Sequence, residues 1–339
     1  MTTSAAQLEY VTGDYTGQRV LVTGASGVLG SGVARALDAA GAHVTVLQRS
    51  ASGIPGVREV RGSVTNPQDV ATALEGVDSV IHIAAKVSVS GPLKDYEHVN
   101  VEGTRTLLHA ARRSGVTRWI HISSPSVAHS GDSIIGAAAG PANPGAARGN
   151  YAATKAAGEL LALAEDAPDF RVLVLRPHLM WGPGDTQLTE RIITRARQNR
   201  LPLLDGGTAL VDTLFLINAV EAIVAALAAV DTVHGEALVL TNGQPRPIGE
   251  MIRRIAVAGG AEEPTLSLPS GIAKSAGAVI EAFWDAEKRG DEPPITRFLA
   301  EQMSTAHWFD QRRTQEVLQW KPRISLDEGF RLTHQYYNA

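Results

Sequence analysis

Two periodicities alternate along the first half of the chain. Arg19–Thr23 is a short β-branched run that stops at a glycine, the pattern of a buried strand feeding a loop. Behind it, apolar residues at helical spacing predict a helix from Val28 to Ala40, closed by Gly41. Strand-type runs recur at His43–Leu47, Val57–Arg61, Asp78–Ile83 and Arg118–Ser123, with helices predicted at Pro67–Leu74 and Tyr96–Arg113 between them. Strands that alternate with helices imply right-handed crossovers and a parallel sheet covered on both faces. The expected fold class is α/β, a doubly wound Rossmann-type sheet.

Gly131–Gly149 is rich in glycine, alanine and proline and reads as a long mobile loop that could act as a lid. A helix follows from Tyr151 to about Glu165, then the strand Arg171–Leu175 and a turn at Arg176-Pro177, where the proline ends the ladder. From His178 the composition shifts. Helical pieces at Leu188–Asn199, Asn218–Ala229 and Ile248–Val257 alternate with short strands, and an amphipathic segment spans 264–300, bounded by Pro269 and Pro293-Pro294. Its stretch Lys274 to Lys288 carries an apolar face with Ile280, Phe283 and Trp284, read first as lobe packing. The expected division is a flexible tail over 1–17, a main domain over 18–177 and a smaller lobe over 178–339 interleaved with late strands.

Composition narrows the function. At 339 residues, 44% hydrophobic and 19% charged, the chain can bury a large core. A formal net charge of -4 gives no basic field, so nucleic acid is not an expected partner. With no cysteine, disulfides, thiolate metal sites and cysteine nucleophiles are excluded together. Residues 1–17 lack the basic start and apolar run of a signal peptide, and the apolar run Ala219–Val230 contains Glu221 and is too short to span a bilayer. The expected location is the cytoplasm, with no transmembrane segment.

The loop Thr23-Gly24-Ala25-Ser26-Gly27-Val28-Leu29-Gly30 sits between the first strand and helix. Gly24 allows the tight turn, Gly27 lets the backbone approach a pyrophosphate, and Gly30 lets the helix pack close, leaving its N-terminus aimed at negative charge. This is a dinucleotide cradle, which gives the domain over 18–177 its expected role. At the end of the second strand, Leu47-Gln48-Arg49-Ser50 offers no carboxylate for ribose hydroxyls. Arg49 could pair a 2′-phosphate, favouring NADP(H) over NAD(H), or be a solvated surface arginine. Tyr151 and Lys155 stand four residues apart and leave a helix from one face. An ammonium beside a phenol lowers its pKa, so this pair fits a proton donor and its tuner. Ser124, just past a strand end, could hydrogen-bond a carbonyl oxygen, with Ser123 and Ser126 as rivals. His82, His121 and His178 end three separate strands without ligand spacing, so no metal is expected.

Together these motifs resemble the extended short-chain dehydrogenases/reductases, through Thr23–Gly30, Ala84-Ala85, Asn100, Ser124, and Tyr151 with Lys155. Within them the chain is most similar to the 3β-hydroxysteroid dehydrogenase-like branch, which includes the bacterial 2-alkyl-3-oxoalkanoate reductases. That closer likeness rests on Ser123–Val127, Arg176–Asp185, Val211-Asp212-Thr213 and Ala306–Asp310. The resemblance implies that Tyr151 is the acid or base, that Lys155 also holds the nicotinamide ribose, and that Ser124 steadies the substrate oxygen. It implies a cofactor wall of Ser26, Val28, Leu29, Ala84, Ala85, Lys86, Asn100 and the backbone around Pro177 and Leu179. The family's acid after the third strand is Ser63 here, so the adenine contact falls to Ser63 or the backbone at Val64. Pro125, His178 and Trp181 are the implied substrate residues, and the apolar run His178-Leu179-Met180-Trp181 suits a hydrophobic ketone or alcohol. A nucleotide-sugar epimerase or dehydratase, or a non-catalytic NADP-binding sensor, is the alternative. The family's habit of pairing long helices implies a homodimer.

Overall fold

A computed structural model describes residues 9–87, 91–129, 131–286 and 297–339. The first half runs β1 (Arg19–Thr23), α1 (Val28–Ala39), β2 (His43–Gln48), β3 (Arg58–Arg61), α2 (Pro67–Ala73), β4 (Ser79–His82), α3 (Leu93–Tyr96), a π-helical segment Glu97–Gly103, α4 (Thr104–Arg113), β5 (Arg118–Ile122) and β6 (Ile134–Ala137). Then come α5 (Gly149–Ala164), β7 (Arg171–Pro177), β8 (Met180–Trp181), α6 (Thr189–Arg197), β9 (Leu203–Leu204), β10 (Leu210–Val211), β11 (Leu214–Phe215), α7 (Leu216–Ala229) and β12 (Glu236–Leu240). The chain closes with β13 (Arg246–Pro247), α8 (Ile248–Ala258), β14 (Ser267–Leu268), α9 (Ser270–Ala286), α10 (Arg297–Ser304), β15 (His307–Phe309), α11 (Arg312–Leu318) and α12 (Leu326–Tyr337).

A seven-stranded sheet in the order β12-β7-β5-β4-β1-β2-β3 carries the molecule. Every pairing in it is parallel, so all the strand C-termini open on one edge. The strands are apolar on both sides because helices cover both faces. One core packs Val20, Val22, Ile120 and Leu173 against α1 and α7; the other packs Leu21, Val80, Trp119 and Val172 against residues of α2, α4 and α5. β12 comes from well past residue 178 yet completes the sheet, pairing Leu240 with Pro177.

Three predicted elements differ. The segment 131–149 is not a free loop: Ile134–Ala137 forms β6, an edge strand of a second sheet ordered β13-β10-β15-β6. Its partner β15 lies far along the chain, and Ile134 N–H donates to the Ala306 carbonyl at 2.8 Å. Residues 9–17 are no flexible tail either, since Tyr15 is buried and its hydroxyl donates to the Val224 carbonyl at 2.8 Å, while Val11 N–H donates to Glu221. The helix predicted as Tyr96–Arg113 is interrupted by the π-helical segment, whose consequence appears at Asn100 below. Phe283 and Trp284 of the expected apolar face, Lys288, and Pro293-Pro294, lie outside the described residues and side chains. No described helix is long and apolar enough to cross a membrane.

Candidate active site

The glycine loop forms a close-packed cradle. Gly24 adopts φ +77°, and a Cβ there would sit 3.0 Å from the Ala84 backbone; at Gly30 it would sit 2.4 Å from the Gly24 carbonyl oxygen. Gly27 caps α1 with no side-chain hydrogen bond, and the first turn carries no acid. The N–H groups of Val28, Leu29 and Gly30 therefore face the sheet edge without a side-chain cap, a ready site for a pyrophosphate. The residues present fit a dinucleotide.

Behind this cradle a buried chain of hydrogen bonds fixes the end of β4. Thr104 Oγ1 donates to the Asn100 carbonyl at 2.8 Å, so it can only accept from His82 Nε2 at 3.0 Å. His82 thus carries its proton on Nε2, and Nδ1 accepts from the Thr23 hydroxyl at 2.8 Å. The Thr23 oxygen in turn accepts from the N–H groups of Ile83 and Ala84 at 3.1 and 3.0 Å. Burial, with the nearby Lys155 charge, pushes His82 down to about 3, so this tautomer is neutral. Through Thr23, His82 thereby fixes the backbone at Ala84, against which Gly24 packs.

Asn100 joins this wall to the candidate catalytic helix. Its side chain accepts from Lys86 N–H at 2.8 Å and donates to the Lys86 carbonyl at 3.2 Å and to Thr154 Oγ1 at 3.1 Å. The π-helical widening presents the Asn100 carbonyl to α5, where a Cβ on Gly158 would sit 2.6 Å from it. Asn100 is therefore spent on protein contacts that tie β4's exit to α5. After β3, where the adenine contact is expected, Ser63 Oγ pairs with Thr65 Oγ1 at 2.8 Å, and Val64 is buried. Asp69 on α2, missed in the sequence, accepts from Ser63 N–H at 2.8 Å and brings a carboxylate into this corner. At the end of β2, Arg49 is exposed. The neighbouring carboxylate, Glu59, is bonded by Arg61, Ser52 and Gln48, and the Arg61 bond first, then the two Ser52 bonds, hold it down to about 2.

Ser124, Tyr151 and Lys155 converge at the C-terminal edge of the sheet. β5 and β7 pair Ile122 with Leu175, and Ser123 N–H donates to the Leu175 carbonyl at 2.7 Å, so Ser124 leaves the sheet at that edge. Ser124 caps the single 3₁₀ turn Pro125–Ala128, its Oγ 2.9 Å from Ser126 Oγ and accepting from Ser126 N–H at 3.3 Å. The rivals part here: Ser126 touches Ser124, whereas the Ser123 hydroxyl is buried without a partner. Lys155 is buried and donates to the Ile122 carbonyl at 2.5 Å. Burial pushes the Tyr151 phenol up to about 12, opposed by a hydrogen bond with Ser124. Burial likewise pushes Lys155 down to about 8, opposed by the Glu159 charge. Where the spacing predicts that the ammonium lowers the phenol, burial is the largest influence on Tyr151 and the Ser124 hydrogen bond is what opposes it.

Glu159 was not singled out in the sequence. It stands one turn after Lys155 and is fully buried with Arg176, which donates to both its carboxylate oxygens at 3.0 and 2.5 Å and to the Gly140 carbonyl at 2.6 Å. An acid on the otherwise apolar stripe Ala152, Ala156, Ala162 is the signal that could have found it.

Beyond Pro177 the expectations divide. His178 is buried, its Nδ1 2.5 Å from the Asp212 carbonyl, and Leu179 holds a left-handed φ of 43°. Such strain in a branched side chain persists only where packing over-determines it. Trp181, expected at the substrate, is instead core: it is fully buried between Phe215 and Phe330, and Nε1 donates to Thr213 Oγ1 at 3.1 Å. An indole whose ring and N–H are both satisfied inside the lobe has nothing left for a ligand. Pro125 is buried beside Ser124 and lines a cavity of about 140 Å³ with Ala139, Arg176 and Phe309. A contact invisible to local pattern joins His129 to His307, Nε2 to Nε2 at 2.9 Å, stitching the segment after Ser124 to β15. Among the described residues no cluster of histidine and carboxylate groups converges as a metal site would.

Comparison with known proteins agrees with this geometry. The chain is 36% identical over 321 residues to a 2-alkyl-3-oxoalkanoate reductase of Stenotrophomonas maltophilia (strain K279a), covering 92% of this chain and 97% of that one. It is 27% identical over 337 residues to a 3-beta-hydroxysteroid dehydrogenase of Mycolicibacterium neoaurum, covering 94% and 91%. Among solved structures, MoeE5 in complex with UDP-glucuronic acid and NAD superposes with a TM-score of 0.70 at 25% identity, covering 94% of this chain and 99% of that one. Residues 20–241 match the family described as NAD dependent epimerase/dehydratase, within the extended short-chain dehydrogenases/reductases, and the chain belongs to that family.

Proposed function

We propose that this oxidoreductase interconverts a secondary alcohol and a ketone on a hydrophobic β-keto acid or steroid-like substrate, with NADP(H) preferred. The observation that carries the reading is the meeting of the Ser124 and Tyr151 hydroxyls beside a buried Lys155 at the strand edge. The likeness to a 2-alkyl-3-oxoalkanoate reductase supports the substrate class. The preference for NADP(H) draws support from Arg49, exposed where the nearby acid Glu59 is already saturated.

The cofactor, when bound, supplies or takes the hydride. The N-terminus of α1 and the backbone at Ala84–Lys86 would hold it, with Lys155 at its ribose and Arg49 at a 2′-phosphate. In the reductive direction Tyr151 gives its proton to the developing alkoxide. Ser124 donates to the same oxygen; Ser126 N–H and the Ser126 hydroxyl can both bond to its lone pairs, which frees its own proton for the substrate. Lys155 at about 8 remains mostly an ammonium at neutral pH and stabilises the phenolate left behind. Two copies pairing through α4 and α5 in the cytoplasm belong to the same proposal, supported by the exposed Leu93 and Leu160 on that side.

A screen of β-keto esters, hydroxysteroids and aryl ketones tests this, following NADPH and NADH absorbance, with UDP-sugars as the counter-screen. The proposal expects turnover on a hydrophobic ketone with NADPH. Saturable UDP-sugar binding without any ketone turnover would overturn it.

A further inference from the structure

We propose that Glu159 is a positioning residue of the reaction: its carboxylate, fixed by Arg176, keeps Lys155 an ammonium beside Tyr151. This rests on the Tyr151–Lys155 reading above and adds a group that reading does not use.

The geometry is a buried row of charges. Lys155 and Glu159 leave α5 one turn apart on the same face, and Arg176 reaches across from β7 to grip both carboxylate oxygens. Glu159 is 0% exposed, Arg176 2% and Lys155 5%. An Arg–Glu pair at that depth contributes little to stability, since desolvation offsets the attraction, and apolar replacements of both are commonly neutral. Its value lies in the field it leaves at the third charge.

The other groups facing Lys155 supply no counter-charge. His82 on β4 and His121 on β5 are both held neutral, by burial first and then by the Lys155 charge itself. The Ile122 carbonyl on β5 offers only a dipole, and Tyr151 on α5 is a neutral phenol. Arg176 on β7 carries a positive charge, so it is no counter-charge to Lys155, and it is bound to Glu159. Among the described residues, Glu159 is thus the group whose charge opposes the desolvation of Lys155. The ion pair serves as a set screw: Arg176 fixes where the carboxylate sits and partly cancels its charge, so the lysine is neither stripped of its proton nor locked into a direct ion pair.

The test is the pH dependence of reductive kcat/KM in the full-length protein, for wild type, Glu159→Gln and the double variant E159L/R176M. The double variant covers the case in which a lone Arg176 prevents folding. NADPH binding and thermal melting report the fold. Without the carboxylate, Lys155 loses its proton at lower pH, so the alkaline limb of the profile moves toward acid by about one unit, roughly tenfold in rate above the limb. NADPH affinity stays near wild type. A limb that keeps its wild-type position in a variant that folds and binds NADPH overturns the inference. Tyr151→Phe serves as the separate arm: if it keeps wild-type turnover the underlying reading fails, and if it is inactive while the limb stays put, only the role of Glu159 fails.

Discussion

The two ends of the site handle polar groups in opposite ways. At the glycine loop, backbone donors are left open at the mouth of α1, and the geometry is fixed by glycines that admit no Cβ. At the Tyr151 end most polar groups are buried, and many are paired: Lys155 with Ile122, Glu159 with Arg176, His82 with Thr23 and Thr104, Asn100 with Lys86 and Thr154, while the Ser123 hydroxyl and the His121 ring are buried without partners. The cradle is made by shape. The Tyr151 end is made by charge already desolvated, so its acidities are properties of the fold rather than of the side chains. The first should respond to added volume, the second to altered charge.

The largest effect belongs to the second kind. His82, His178 and His307 are held neutral by burial, at about 3, 4 and 3. Their folded values lie below the unfolded 6.5, so the unfolded chain takes up protons first as pH falls. The stability they contribute is complete above pH 6.5 and is lost on the way down toward pH 4. Each contributes a slope of up to about 1.4 kcal/mol per pH unit, and together about 4. Urea midpoints at pH 7.5, 6.5 and 5.5 should therefore fall steeply over the last step; equal midpoints would break the contrast at its charged end.

Next comes volume in the cradle. Gly30→Ala forces a methyl against the Gly24 carbonyl, a misfit on the scale of about 1–3 kcal/mol. That should weaken NADPH binding about ten- to hundredfold in a fluorescence titration and lower the melting temperature by a few degrees, the ordinary thermal response to a misfit of that size. A variant that binds as wild type would show that the loop is not where the pyrophosphate rests. The smallest effect is expected at Arg49→Ala, which should cost NADPH about tenfold and NADH nothing. Equal losses for both cofactors would remove the argument for a 2′-phosphate.

This contrast also explains what the sequence could and could not disclose. The cradle and the Tyr151–Lys155 spacing are local: a strand, a turn and one helical face specify them within a few residues. So are the sheet strands, whose apolar runs match the observed β1, β2, β4, β5 and β7 closely. What stayed hidden depends on partners far along the chain. Nothing near Ile134 announces that β15 will pair with it, nothing near His129 announces His307, and Arg176 beside Pro177 reads as a strand end rather than as the clamp on Glu159. Trp181 misled for the same reason, because an aromatic at a strand exit looks like a ligand wall until Phe215 and Phe330 are seen to enclose it. The break in the Tyr96–Arg113 helix has no periodicity signal at all, since a π-helical turn is set by the fit of Asn100 against Gly158.

The central claim is that the Tyr151 phenol hands over the proton. Single-turnover oxidation of NADPH by Tyr151→Phe, on a ketone that the wild type reduces, tests it most directly, with NADPH affinity measured alongside. The account predicts a rate lower by roughly two to four powers of ten with cofactor binding intact. A Phe variant that reduces the ketone at the wild-type rate would contradict it.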